Sequence, residues 1–236
     1  RPLGVAVLRG AGATEEEAGL IVDHHIDAML YGEGDHGYPL GTQYIPDIKE
    51  GTIKPGAAYT IEKETPTTLM VHGNFNFGHY VSHHFMKRLI AKAKTSMVAA
   101  ASIKYQCHVG RLIDYTSMAA REGMVALMMC DGAWGPKFMA PGGGKDRRLG
   151  INPWSMALPN DTGGIVGFDM TAAASSGSKV IMAHQKGEKV PEGWILDKDG
   201  KPTTDPGAYF KGGSFLPMGG IVAHKGYVLC FMIEAL

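Results

Sequence analysis

A chain of 236 residues and 25.2 kDa suffices for one large domain or two small ones, burying roughly 70% of the surface its unfolded form exposes. Basic and acidic residues balance at 23 each, so no net charge is available to hold a polyanion or an anionic membrane. The longest apolar runs, Met124–Cys130 and Tyr227–Ile233, fall far short of the ~20 residues of a bilayer span.

Three cysteines, Cys107, Cys130 and Cys230, make no disulfide framework, which predicts a reducing compartment, by default the cytoplasm. The chain opens on Arg1-Pro2 and closes on an apolar-periodic stretch from Phe231 without a stop signal, so both ends read as cut.

Thr14-Glu-Glu-Glu17 has capping-box spacing, and Ala18, Ile21, Val22, His25 and Met29 follow at helical intervals until Gly32 and Gly34. That helix delivers the chain into Gly34-Asp35-His36-Gly37, a loop, after which Tyr44, Ile45 and Ile48 predict a short helix ending at Gly51. From Tyr80 to Lys94 one apolar face recurs, and Lys87, Arg88, Lys92 and Lys94 read as a solvated helix end. Met97–Tyr105 is strand-like, Gln106–Gly110 interrupts it, Leu112–Ala120 returns to helical period, and Met124–Cys130 is a second buried strand. Together they predict a strand–loop–helix–strand unit with His108 at the loop. Residues 131–150 form a glycine- and proline-rich loop, followed by strands over Trp154–Leu158 and Ile165–Asp169. Hairpin punctuation at Asp197–Gly200 and Pro202–Pro206 precedes a final helix after Gly220. A single continuous α/β unit is the economical reading, with a boundary near Leu149–Pro153 as the alternative.

Neither standard nucleotide fingerprint is present. No G-x-G-x-x-G follows a predicted strand, and Gly142-Gly-Gly-Lys145 is followed by Asp146 where a phosphate loop needs Ser or Thr. His24 and His25 point about 100° apart on their helix and do not converge on one ion; His83-His84 fails likewise. Asp197-x-Asp199-Gly200 lacks the distal Glu of a calcium loop. These read as helix faces and turns, with no metal site among them.

His36 and His108 differ because each lies in a glycine-flanked loop at a helix end. His36 follows a helix C-terminus, whose partial negative charge favours imidazolium; His108 precedes a helix N-terminus, which favours the neutral ring. One is biased toward acid and the other toward base, although from the residues alone two unrelated loop histidines remain the plainer reading.

Several further motifs stand in a recognisable order: Gly34–Gly37, Gln106-Cys-His-Val-Gly-Arg111, Met139-Ala-Pro-Gly-Gly143, Leu149-Gly-Ile-Asn-Pro153, Gly167-Phe-Asp-Met170, Pro191-Glu-Gly-Trp194, Asp197–Pro206 and His224-Lys-Gly-Tyr227. Over nearly its whole length the chain resembles the malate/L-lactate/ureidoglycolate dehydrogenase family of NAD(P)-dependent oxidoreductases. The resemblance implies a non-Rossmann α/β nicotinamide-binding fold, a mixed sheet with flanking helices, here truncated at the C-terminus. It implies an N-terminal helical, substrate-side region over 1–72 and a cofactor-binding region over 73–236. It further implies a homodimer with a shared active site and a small-molecule substrate.

His36 and His108 match the substrate-pocket histidines, with Asp35 and Tyr44 beside the substrate. Gly132, Asp169, Met170, Thr171, His224 and Lys225 match the segments that reach NAD or NADP. Two positions depart from the family pattern: Asp35 stands where Ser is common, and Leu40 where Arg often binds the substrate carboxylate, so that either Arg111 or Lys137 substitutes or the substrate is less acidic. The activity implied is hydride transfer between a nicotinamide and a small 2-hydroxy acid or its oxo or imino counterpart. The alternative is a catalytically silent, dinucleotide-binding homologue; a histidine-based metal hydrolase ranks third.

Overall fold

The computed structural model describes residues 1–132 and 135–235, with side chains at all of these but 39–42. Helix α1 (Pro2–Gly10) starts with proline, whose missing N–H costs nothing in a first turn. Helix α2 (Glu15–Leu30) carries the expected capping box: Thr14 Oγ1 accepts from the Glu17 N–H at 3.2 Å, and Glu17 Oε2 from the Thr14 N–H at 2.9 Å. The same buried carboxylate accepts through Oε1 from the Gly56 N–H and from Asn76 Nδ2, both at 2.8 Å. One cap therefore also fastens two later loops to the start of α2.

A single 3₁₀ turn (Gly34–His36) leads into α3 (Tyr38–Lys49). This helix begins six residues before Tyr44, where the apolar pattern first became periodic. Strands β1 (Thr60–Glu64) and β2 (Thr68–His72) form an antiparallel hairpin, and β3 (Ala100–Lys104) adds to β2 in parallel, giving a mixed sheet in the order β1-β2-β3. Helix α4 (Gly78–Ser96) lies between β2 and β3 in sequence and buries Val81 and Phe85 with Leu69 and Val71 of β2. Its basic end is not simply solvated: Lys92 pairs with Glu64 at 2.8 Å, Arg88 with the same carboxylate at 3.2 Å, and Lys94 with Glu122 at 2.7 Å.

After α5 (Ile113–Arg121), strand β4 (Ala126–Met129) joins β5 (Trp154–Pro159) and β6 (Ile165–Met170) in a second sheet, ordered β4-β5-β6. The expected strand–loop–helix–strand unit is thereby corrected. Its two strands belong to different sheets, because adjacency in sequence does not dictate which backbone edge a strand finds. Helix α6 (Gly177–Lys186) is followed by the hairpin β7 (Ile195–Leu196) and β8 (Pro202–Thr203), closed by Asp197 Oδ1, which accepts from the N–H groups of Asp199 and Lys201 at 2.9 Å each. Then come α7 (Gly207–Phe210), β9 (Ser214–Phe215) paired with β7, and α8 (Ala223–Ala235).

By internal contacts the chain divides into two compact units, Arg1–Ala126 with Ala157–Gly167, and Leu127–Met156 with Phe168–Leu236. The single continuous unit expected from the sequence is replaced by these two. In the first, Val5, Leu8, Ile21, Val22, Tyr44, Ile53 and Phe77 form a core where α1, α2 and α3 meet. In the second, Met139, Leu149, Val180, Ile195, Phe215 and Cys230 make another. Among the described residues no helix is long and apolar enough to cross a membrane.

Candidate active site

In the first unit three helices and two loops converge on a cluster of imidazoles. His24 and His25 come from α2, His36 from the 3₁₀ turn, His79 from the first turn of α4, and His108 from the loop between β3 and α5. The loop is pinned by backbone bonds: the Phe75 N–H donates to Tyr105 O at 2.8 Å and the Cys107 N–H to Asn76 O at 3.0 Å. Gly78 lets the start of α4 come so close that a Cβ there would sit 2.2 Å from the Cys107 carbonyl oxygen. His79 and His108 become neighbours in this way, with ring centroids 5.9 Å apart.

Tyr44 joins the cluster from α3. Its hydroxyl lies 2.8 Å from His108 Nδ1, and its ring stacks on His25 at 6.0 Å and approaches His79 at 5.9 Å. Burial pushes the Tyr44 phenol well above the usual tyrosine range, so it keeps its proton.

Opposite them, the Arg111 N–H donates to His24 Nε2 at 2.9 Å, so that nitrogen carries no proton, and His24 Nδ1 lies 2.7 Å from Asp114 Oδ2. Arg111 is itself buried, paired with Asp114 at 2.6 Å and with Glu33 at 3.5 Å, and lies over the Tyr31 ring. Lys137, in the second unit, is held by Glu234. Both cations considered for carboxylate recognition are thus already neutralised by carboxylates. The Leu40 side chain lies outside the described residues.

The environment keeps three of these rings, His25, His79 and His108, uncharged. Burial, then the charges of His24 and His36, lowers the His25 pKa to about 4. Burial, with the charges of the other four histidines, holds His79 well below the ordinary value. For His108, desolvation by its neighbours, followed by repulsion from His36, His24 and His25, lowers the pKa to about 4, although the residue as a whole is exposed. His36 is therefore near enough for its charge to act on His108, and its own Nδ1 lies 3.3 Å from Asp35 Oδ1.

The helix-end argument for the two histidines is corrected by these positions. His36 stands immediately before the positive end of α3, not at the negative end of α2, and its anionic neighbour is Asp35. His108 precedes α5 by five residues, beyond the last turn over which a helix end acts, so desolvation governs it.

These shifts predict an acid instability. In the unfolded chain His25 and His79 titrate near ~6.5, and in the folded chain lower, so between the two values the unfolded state binds more protons. The stabilisation from keeping them neutral is complete above ~6.5 and is lost as the pH falls toward about 4, on the order of 3 kcal/mol for His25 alone. Urea unfolding at pH 7.5, 6.0 and 5.0 should show it. A midpoint that does not move across that range would mean that the rings are solvated.

The residues expected around a dinucleotide lie in the second unit. The 172–174 segment runs beside 216–218, with Met218 N–H donating to Ala172 O at 3.0 Å and Ala173 bridged to Pro217. Asp169, Met170 and Thr171 at the end of β6 are thereby brought beside the segment that leads into α8, whose first turn carries His224 and Lys225. Thr171 Oγ1 donates to Ala173 O at 2.9 Å, which fixes this corner. Met170 and Lys225 are exposed. A carboxylate, an exposed apolar side chain and a cation fit the ribose hydroxyls, rings and phosphates of a dinucleotide. The Gly132 carbonyl accepts from the Gly135 N–H at 2.9 Å and from Lys137 Nζ at 3.5 Å.

His24, His25, His79 and Asp114 were missed as site residues. The one signal in the sequence was polar: imidazoles on helix faces otherwise apolar, as at His25.

Known proteins resemble this chain over its whole length. The family description of malate/L-lactate dehydrogenases matches residues 1–236. The malate/(S)-sulfolactate dehydrogenase of Methanothermus fervidus is 40% identical over 100% of this chain and 67% of its own length. Among solved structures, the sulfolactate dehydrogenase of Methanocaldococcus jannaschii aligns with a TM-score of 0.88 at 35% identity, over 99% of this chain and 65% of that one. The Δ1-piperideine-2-carboxylate reductase of Pseudomonas syringae aligns at 0.92 and 27% identity, over 100% of this chain and 69% of that one. The chain thus spans about two thirds of the length of the relatives it matches. With its α/β fold shared with these enzymes and the family description matched over residues 1–236, the chain belongs to the malate/L-lactate dehydrogenase family.

Proposed function

We propose that the protein is an oxidoreductase that moves a hydride between C4 of a nicotinamide, NAD or NADP, and C2 of a small 2-hydroxy acid or its oxo or imino counterpart. The observation that carries this reading is the hydrogen bond between Tyr44 and a neutral His108 imidazole on an exposed residue. When bound, the nicotinamide supplies the two-electron chemistry. In oxidation His108 takes the substrate hydroxyl proton at Nε2, while Tyr44 fixes the ring through Nδ1. In reduction the same nitrogen returns the proton. His36, whose Nδ1 lies 3.3 Å from Asp35 Oδ1, is the second group able to carry a proton and lines the substrate side.

Asp169, Met170, Thr171, His224 and Lys225 would hold the dinucleotide, with Gly132 contributing backbone only. On this reading 1–72 is the substrate-side region and 73–236, which also supplies His108, carries the cofactor-binding segments. The enzyme works as a homodimer in the cytoplasm, in keeping with three unpaired cysteines.

The relatives' names point to malate and sulfolactate first among substrates. A screen following reduced-cofactor absorbance with malate, lactate, ureidoglycolate, sulfolactate and their oxo forms should give turnover with at least one. His36→Ala should lower kcat/KM for it at least tenfold. Dinucleotide binding without turnover across the whole panel would favour the silent homologue.

A further inference from the structure

We propose that His79 is a positioning residue that accepts the Tyr44 hydroxyl proton and so sets the tautomer of His108, an inference that rests on the reading of His108 as proton acceptor. The argument begins with the proton between Tyr44 and His108. If the hydroxyl donates to Nδ1, the neutral ring carries its proton on Nε2, the nitrogen left for substrate, and cannot act as a base there. For Nε2 to hold a lone pair, Nδ1–H must donate to Tyr44 Oη. The protonated ring, with both nitrogens as donors, imposes the same direction. In both working states the Tyr44 proton must go elsewhere.

The surroundings supply an acceptor. His79 is 2% exposed, and neither of its ring nitrogens has a hydrogen-bond partner, which is costly for a polar group so placed. Its ring lies 5.9 Å from those of both Tyr44 and His108, a gap closed by turning the ring or by one bridging water. His25 Nε2 is also unpartnered, but the His25 ring stacks on Tyr44 at 27°, whereas His79 meets the tyrosine edge-on at 67°.

The groups that face His79 are His24 and His25 from α2, Tyr44 from α3, His36 with Asp35 from the turn, and His108 from its loop. Beyond His24 stand Asp114 of α5 and Arg111, whose charges are paired with each other. A ring kept neutral in this company always retains one lone pair, which is what Tyr44 needs.

The test is the ¹⁵N spectrum of histidine-labelled protein at neutral pH, read together with kinetics. In the wild type His108 should be protonated on Nδ1. In His79→Phe the proton should move to Nε2, and kcat should fall on the order of 10²-fold with KM nearly unchanged. His79→Gln, which keeps an acceptor, should restore most of both. His79→Leu serves where Phe does not fold. An Nε2-protonated His108 in the wild type, or an unchanged tautomer in the apolar variant, overturns the proposal. Loss of fold stability in every variant without a change of tautomer also overturns it, since that is the signature of packing alone. Turnover that needs His108 but ignores His79→Phe removes this inference and leaves the dehydrogenase reading intact. A wild type without turnover removes that reading, while the tautomer remains measurable.

Discussion

His108→Ala should lower kcat/KM for hydroxy-acid oxidation by on the order of 10³-fold, with dinucleotide affinity unchanged. The expectation follows from the position of the ring: His108 is an exposed residue whose imidazole is held by Tyr44 at 2.8 Å. General bases of this kind contribute about 10²–10⁴-fold. Because the His108 pKa is lowered, the base stays in its working, unprotonated form as the medium is acidified, and the acid limb of the wild-type profile should fall below the ~6.5 of an ordinary histidine. Near-wild-type rates in His108→Ala, or an acid limb at or above pH 6.5, would remove His108 from the chemistry. Desolvation is what makes the lowered value useful, since a solvent-exposed imidazole would already be half charged in that range.

Gly110→Ala should be a strongly damaging single methyl addition in the first unit. Gly110 has φ +71°, and a Cβ there would lie 2.2 Å from His24 Nε2 and 2.7 Å from His79 Nε2. The left-handed backbone costs alanine about 1–2 kcal/mol. The steric conflict adds more, because His24 cannot retreat without leaving the Arg111 N–H and Asp114 unsatisfied, about 1–3 kcal/mol for a buried group. A loss of roughly 3 kcal/mol or more in urea unfolding is expected, together with a fall in kcat, because His79 moves as well.

Gly123→Ala is the control. Its φ of +78° imposes similar backbone strain, but nothing lies within 4 Å of the added carbon, so about 1 kcal/mol and unchanged kinetics are expected. Equal losses in the two variants would show that strain alone is at work and that the imidazoles are not tightly held.

Local chemistry is what the amino-acid order determined here. The capping box at Thr14 and Glu17 fixes the start of α2 because both hydrogen bonds span three residues, and the Asp197 turn closes its hairpin within five. The glycine-flanked loops around His36 and His108 were legible for the same reason, and the order of motifs was sufficient to indicate the family. Long-range pairing is what only the tertiary structure decided. β1 is mostly exposed and shows no alternation, so nothing in its composition marks it as a strand, and its existence depends on the β2 edge. The start of α3 at Tyr38 reversed the helix-end reasoning at His36, because the apolar period that revealed the helix begins only at Tyr44. His24, His25 and His79 read as faces of separate helices. They form one buried cluster with Tyr44 and His108 because close approaches at Gly78 and Gly110 bring α2, α4 and the β3–α5 loop together, and no sequence spacing records an encounter between segments so far apart.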